Sequence, residues 1–223
     1  NIMEIPENTI INVINKAIIE TQNMYKKSTE QLICFAPEYL ITASIYSALT
    51  NIKNTEGDTG VTVEESLSNI KCQLRGGERL RGRKPSQQDN GRCDVVLWNS
   101  KNIPRVVIEV KRNTSKKECE KDIKRLSSLL KYKTKLTKNR LEFCIYACCI
   151  HEEIGDKGRE DAEDKLDQRI SRLRSHAEKN LKNHCLLDLT DYEIQHIKVF
   201  DAFVKNETNN WLWRPLCFVI NHK

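Results

Sequence analysis

GRCDVVLWNSKNIPRVVIEVKR, residues 91–112, is the stretch on which the fold turns. Two apolar runs rich in β-branched residues, Val95-Val96-Leu97-Trp98 and Val106-Val107-Ile108, flank the turn formers Asn99, Ser100, Asn102 and Pro104, which predicts a β-hairpin. Pairing outward from a loop over 99–104 sets Leu97 against Val106, Val95 against Ile108 and Asp94 against Glu109. Opposed residues of an antiparallel ladder share a face, and strand side chains repeat every two residues, so Asp94, Glu109 and Lys111 converge at the open end. Carboxylates so placed repel one another and need a cation between them. Lys111 supplies one, and a hard divalent ion such as Mg2+ suits the same oxygens. Two carboxylates with such an ion, and an ammonium that orients water, fit phosphodiester hydrolysis.

Asp94, a gap of fourteen residues and then Glu109-Val110-Lys111 resembles the signature of the PD-(D/E)XK nuclease superfamily, with Cys93 standing where that name has Pro. The resemblance implies a restriction-endonuclease-like fold, an α/β mixed sheet flanked by helices, with its core at about 30–150. It implies that Asp94 and Glu109 hold Mg2+, or Mn2+ in its place, with the carbonyl of Val110. Lys111 then positions the attacking water, and Glu38 assists as an outer or second-metal ligand, as an acid on the first core helix does in many such nucleases. The implied substrate is nucleic acid, DNA before RNA.

Composition sets the frame. A chain of 223 residues, 39% hydrophobic and 30% charged, is sized and mixed for one globular domain over 1–223. No apolar run approaches the roughly 18 residues of a membrane span, and no charged segment precedes an apolar one at the N-terminus, so a cytoplasmic protein with no membrane partner is expected. A net charge of +6 permits a polyanionic partner without requiring one. Its distribution is more telling: Lys71, Arg75, Arg79, Arg81, Arg83, Lys84 and Arg92 face only Glu78 and Asp89, among four glycines. A basic glycine-rich loop leading into the hairpin is therefore a candidate for phosphate contacts. The nine cysteines include no C-x-x-C pair and read as reduced, mostly buried thiols. Cys148, Cys149 and His151 invite a zinc reading, but alternation along a strand sends neighbours to opposite faces.

Along the chain, 10–27 reads as an apolar-faced packing helix and a second helix runs from Pro37 to Ile52. Counting back from Ile45 and Ile41 places Glu38 on the inward face of that helix at its N-terminal end. Val61-Thr62-Val63 predicts a strand, with Glu64 or Glu65 as a spare ligand. Ser115-Lys116-Lys117-Glu118 is a capping box for a helix carrying Cys119, Ile123, Leu126, Leu130 and Leu136, on which Asp122 and Arg125 are candidates to brace the active site without an assigned place. Phe143 to Ile150 is an apolar run suited to a strand buried on both faces, and strand, helix, strand implies a partly parallel sheet. A narrow stripe of Ala162, Leu166, Ile170, Leu173, Ala177 and Leu181 predicts a long amphipathic helix over 158–182, lying on the sheet or against a second copy in a homodimer. Strands over 196–204 and 211–221, joined by a turn at 205–210, are expected as additions outside the core, with Trp211 and Trp213 on one face.

The leading expectation is a metal-dependent nuclease. The alternative is a non-cleaving nucleic-acid-binding or assembly subunit with the same fold, and a third reading makes the long helix an interaction surface.

Overall fold

The computed structural model describes residues 5–56, 60–76, 91–130, 141–185, 194–201, 207–208 and 211–222. In chain order the elements are α1 (Glu7–Thr29), a 3-10 turn (Ile33–Phe35), α2 (Glu38–Glu56), β1 (Gly60–Ser66) and α3 (Leu67–Leu74). After these come β2 (Arg92–Trp98), β3 (Pro104–Lys111), α4 (Lys116–Leu130), β4 (Phe143–Glu153), α5 (Gly158–Cys185), β5 (Ile194–Asp201), β6 (Glu207–Thr208) and β7 (Trp211–His222). The described strands form one sheet in the order β1-β2-β3-β4-β7-β5, with β6 on β7. Only β3 and β4 run parallel, so the molecule is α/β with a mixed sheet flanked by helices.

β2 and β3 pair antiparallel with Leu97 against Val106 and Val95 against Ile108. The loop between them is organised by Asn99, whose Oδ1 accepts from the N–H groups of Lys101 and Ile103 at 2.9 and 3.0 Å. Asn102 takes the left-handed conformation that its short polar side chain tolerates, at φ 55°. β4 lies parallel to β3 from Val106/Phe143 to Lys111/Cys148. A bidentate ion pair clasps the start of the two strands, Arg105 Nε and Nη2 donating to Glu142 at 2.6 and 2.7 Å.

Both faces of the sheet are covered. On one side α1 and α2 bring Ile10, Ile14, Ile18, Ile41, Ile45 and Leu49 against Val95, Leu97, Val106, Ile108 and Trp213. On the other, α3, α4 and α5 pack Leu67, Ile70, Ile123, Leu126, Leu166 and Leu173 against Val96, Val107, Tyr146 and Phe218. Each such aliphatic side chain contributes about 1.5–3 kcal/mol by leaving water.

Several elements differ from their sequence expectation. α3 takes residues expected to lead straight into the basic loop: Ser66 Oγ accepts from Asn69 N–H at 3.2 Å and starts a helix whose Leu67, Ile70 and Leu74 are buried. The stripe of α5 lies on the sheet, one of the two placements expected of it, but goes deeper than its narrowness suggests, with Ala162, Leu166, Leu173 and Ala177 buried in the core shared with α4. β6 falls inside the stretch expected to be a turn. β7 is not peripheral; it pairs with β4 over Phe143 to Glu153 and with β5 on its other side. Trp213 is buried beneath α1 and α2, and Trp211 is partly buried on that side, so both tryptophans pack as expected of their shared face. Cys148 and Cys149 belong to opposite cores, as alternation requires. Leu136 and Leu181 lie outside the described side chains. Among the described residues, no helix is long and apolar enough to cross a membrane.

Candidate active site at the open end of the hairpin

Backbone pairing of β2 with β3 runs as far as Val95 and Ile108. One residue further, Asp94 Oδ2 accepts from the Val110 N–H at 2.6 Å, so a carboxylate continues the ladder where the two backbones part. Glu109 and Lys111 alternate with the buried Ile108 and Val110 and so point to the α4 side of the sheet. Glu38 comes from the opposite layer: as the first residue of α2 it reaches round the end of the sheet.

These groups meet at one ammonium. Lys111 Nζ lies 3.1 Å from Glu38 Oε1, 3.0 Å from Glu109 Oε1, 3.0 Å from the Val110 carbonyl and 4.0 Å from Asp94 Oδ2. Burial alone would pull the lysine's pKa down, but Glu109, Asp94 and Glu38 outweigh it and hold the ammonium above its ordinary value. Asp94 carries the opposite imbalance: burial, then repulsion from Glu109, push its carboxyl up to about 7 despite the Val110 hydrogen bond. Glu38 is tied a second time, Oε2 accepting from the Arg112 N–H at 3.3 Å.

Glu109 is 4% exposed, and its second oxygen is met from α4 by Arg125, which also pairs with the buried Asp122 at 3.4 Å. Burial works upward on the Glu109 carboxyl, while Arg125 and Lys111 work to keep it ionised. Arg125 is thus the cation that neutralises the buried Glu109 Oε2. Cys93 is buried beside this pair, and burial first, then Glu109, pushes its thiol up to about 12 against the pull of Arg125. Arg125 and Asp122 are the bracing residues that periodicity left unplaced. Their signal was a charged pair three residues apart on the stripe that carries Cys119, Ile123 and Leu126.

The donor set fits a hard cation, since three carboxylates and one carbonyl converge on one point. The centre of that set is taken by the ammonium. As the side chains stand, no three acidic, His or Cys groups among the described residues are arranged to hold a metal. A divalent ion and Lys111 therefore compete for the same oxygens.

The remaining expected contacts divide. Arg75 ends α3, its N–H bonding the Cys72 carbonyl at 3.0 Å. Arg92 is exposed, 3.9 Å from Glu64. Arg79, Arg81, Arg83 and Lys84 lie outside the described residues. Neither spare acid joins the cluster: Glu65 bonds Ser66 N–H and Asn69 Nδ2 at the start of α3, and Glu64 lies under Arg92.

Comparison of the chain with protein-family models, curated proteins and solved structures found no match.

Proposed function

We propose that this chain is a metal-dependent nuclease of the PD-(D/E)XK kind, hydrolysing phosphodiester bonds in DNA. The observation that carries the reading is the convergence of Glu38, Asp94, Glu109 and the Val110 carbonyl on Lys111 at the open end of the hairpin. Residues far apart in sequence supply those oxygens, from the helix α2 and the strands β2 and β3, so the cluster is built by the fold and not by one local turn. Arg125 braces Glu109 from behind, which a surface salt bridge on a ribbon would not need.

In this reading Asp94, Glu109 and the Val110 carbonyl hold Mg2+ or Mn2+, with Glu38 at its outer side. When bound, the metal offsets charge developing on the phosphate and acidifies water. The chain does the rest. Lys111, released from the carboxylates, orients the water for in-line attack on phosphorus; the P–O bond to the leaving sugar oxygen breaks, and a phosphate monoester and a hydroxyl result. Arg125 and Asp122 fix the orientation of Glu109.

One observation favours a non-cleaving nucleic-acid-binding or assembly subunit: Lys111 already neutralises the oxygens as a permanent counter-ion would. A cleavage time course separates the two. Supercoiled plasmid, linear duplex, single-stranded DNA and RNA are incubated with Mg2+ or Mn2+, with Lys111→Ala protein alongside. Metal-dependent cutting that the variant lacks is expected. Absence of cutting by the parent protein in either metal, with nucleic acid still bound, would assign the chain to the non-cleaving class.

A further inference from the structure

Beyond Glu38 and Lys111 the surface opens into a cleft of about 490 Å3 whose wall includes Phe35, Arg112, Ser115, Glu118, His151 and Arg169. It shares Arg112 with the candidate active site, because the N–H of that residue bonds Glu38. The volume falls within the roughly 300–1,000 Å3 typical of small-ligand sites.

The wall combines two kinds of group. Arg112 and Arg169 are held by neutral oxygens: Arg112 Nη1 by the Ala36 carbonyl at 3.4 Å, and Arg169 by the His151 and Thr114 carbonyls and Asn113 Oδ1 at 3.0 to 3.2 Å. Among the described residues, neither guanidinium is paired with a carboxylate. The acid of the wall, Glu118, is engaged by the N–H and Oγ of Ser115. Cys34, 4% exposed on the same wall, has its thiol drawn down to about 6, first by a hydrogen bond with Cys149 on its core side, then by His151 and Arg169.

The second kind is aromatic. Phe35 stands 47% exposed, its ring fixed edge-on by His151 at 5.3 Å and Trp211 at 5.7 Å. Of the five large apolar side chains exposed among the described residues, three are the aromatics Phe35, Tyr39 and Tyr46, and the first two straddle Glu38 in sequence. Exposed rings beside unpaired guanidiniums are how proteins hold single strands, bases stacking on the rings while cations follow the backbone. In a duplex the faces of the bases are covered by their neighbours, so such a ring is useful only against an unpaired base.

We infer that this cleft seats one unpaired nucleotide of a DNA strand next to the candidate active site, its base against Phe35 and its phosphate between Arg112 and Arg169. The inference rests on the nuclease reading for its DNA substrate and makes single-stranded or frayed DNA the preferred form.

The test reads binding apart from cutting. Fluorescence anisotropy in Ca2+ measures the affinity of a dye-labelled oligothymidylate and of a blunt duplex for the parent chain, Phe35→Ala, Phe35→Trp and Arg112→Ala. Phe35→Ala and Arg112→Ala should each weaken the oligothymidylate about fivefold or more, with Phe35→Trp near the parent and duplex affinity unchanged. Should Phe35→Ala fail to fold, Arg112→Ala carries the test, since its side chain is exposed and makes one long hydrogen bond. No single-strand binding by the parent, affinities indifferent to both positions, or an equal loss on duplex would each overturn the inference. Single-strand binding that depends on both residues in a protein that cuts nothing would keep the cleft and remove the nuclease; cutting indifferent to both, without such binding, would do the reverse.

Discussion

Lys111 directs its ammonium to Glu38, Glu109 and the Val110 carbonyl, which leaves Asp94, 4.0 Å away, without a cationic hydrogen bond of its own. Its carboxyl binds a proton more tightly in the folded chain, up to about 7, than the ordinary 3.8. The stability this confers is full below pH 3.8 and is lost as pH rises through about 7. Asp94→Asn keeps an acceptor for the Val110 N–H and abolishes the titration. Thermal scans should therefore show the parent losing Tm relative to the variant between pH 4 and 8, with the variant the more stable at pH 8; parallel curves would mean that Asp94 is ionised throughout. The same proton competes with metal, so calorimetric Mn2+ affinity should rise with pH through about 7 in the parent. Arg125 gives the complementary case. Arg125→Met leaves Glu109 buried beside Asp122 with one cation fewer, and removing one partner of a buried pair costs about 3–5 kcal/mol. Urea unfolding should show that loss, and Glu109→Gln in the same chain should recover much of it. If the double variant is no better than Arg125→Met, the ion pair is not what Arg125 contributes.

At the scale of elements, the capping box of α4 forms as its sequence demands: Glu118 N–H bonds Ser115 Oγ at 3.3 Å, and Ser115 N–H bonds Glu118 Oε2 at 3.0 Å. Ser115→Ala should cost about 1 kcal/mol, a fall of about 2–4 °C in Tm for a chain this long. An unchanged melting curve would show α4 held by packing alone. Why some elements were legible is physical. The hairpin register followed from a loop whose residues favour turns and from β-branched runs that admit one buried face, and Glu38 followed from the 3.6-residue phase of α2. α3 was hidden because its eight residues present only Leu67, Ile70 and Leu74, too brief a period to stand out beside a run of glycine and arginine. The stripe of α5 looked thin because periodicity counts apolar residues on one helix and says nothing of what covers them; α4 and the sheet bury it. Arg125 and Asp122 escaped assignment because Glu109, which Arg125 meets, is remote in sequence.

For the whole molecule the telling strand is β7. It stands between β4 and β5, and Trp213, Leu216, Cys217, Phe218, Val219 and Ile220 enter the two cores on alternating faces. A chain ended at residue 153 keeps the three carboxylates and the lysine of the candidate site, yet it should not unfold cooperatively, because β4 loses the one of its two partner strands that pairs its whole length. Circular dichroism of that fragment in urea should show a broad, non-sigmoidal loss of signal, and a sharp transition would place the folding unit within the first 153 residues. The residues of the Arg105–Glu142 clasp and of the parallel β3–β4 pairing all precede β7 in the chain. On the ribosome, then, the nascent polypeptide holds β4 as a bare apolar edge until residues 211–222 emerge, and synthesis of this chain should be sensitive to translation speed and to chaperones that shield such edges.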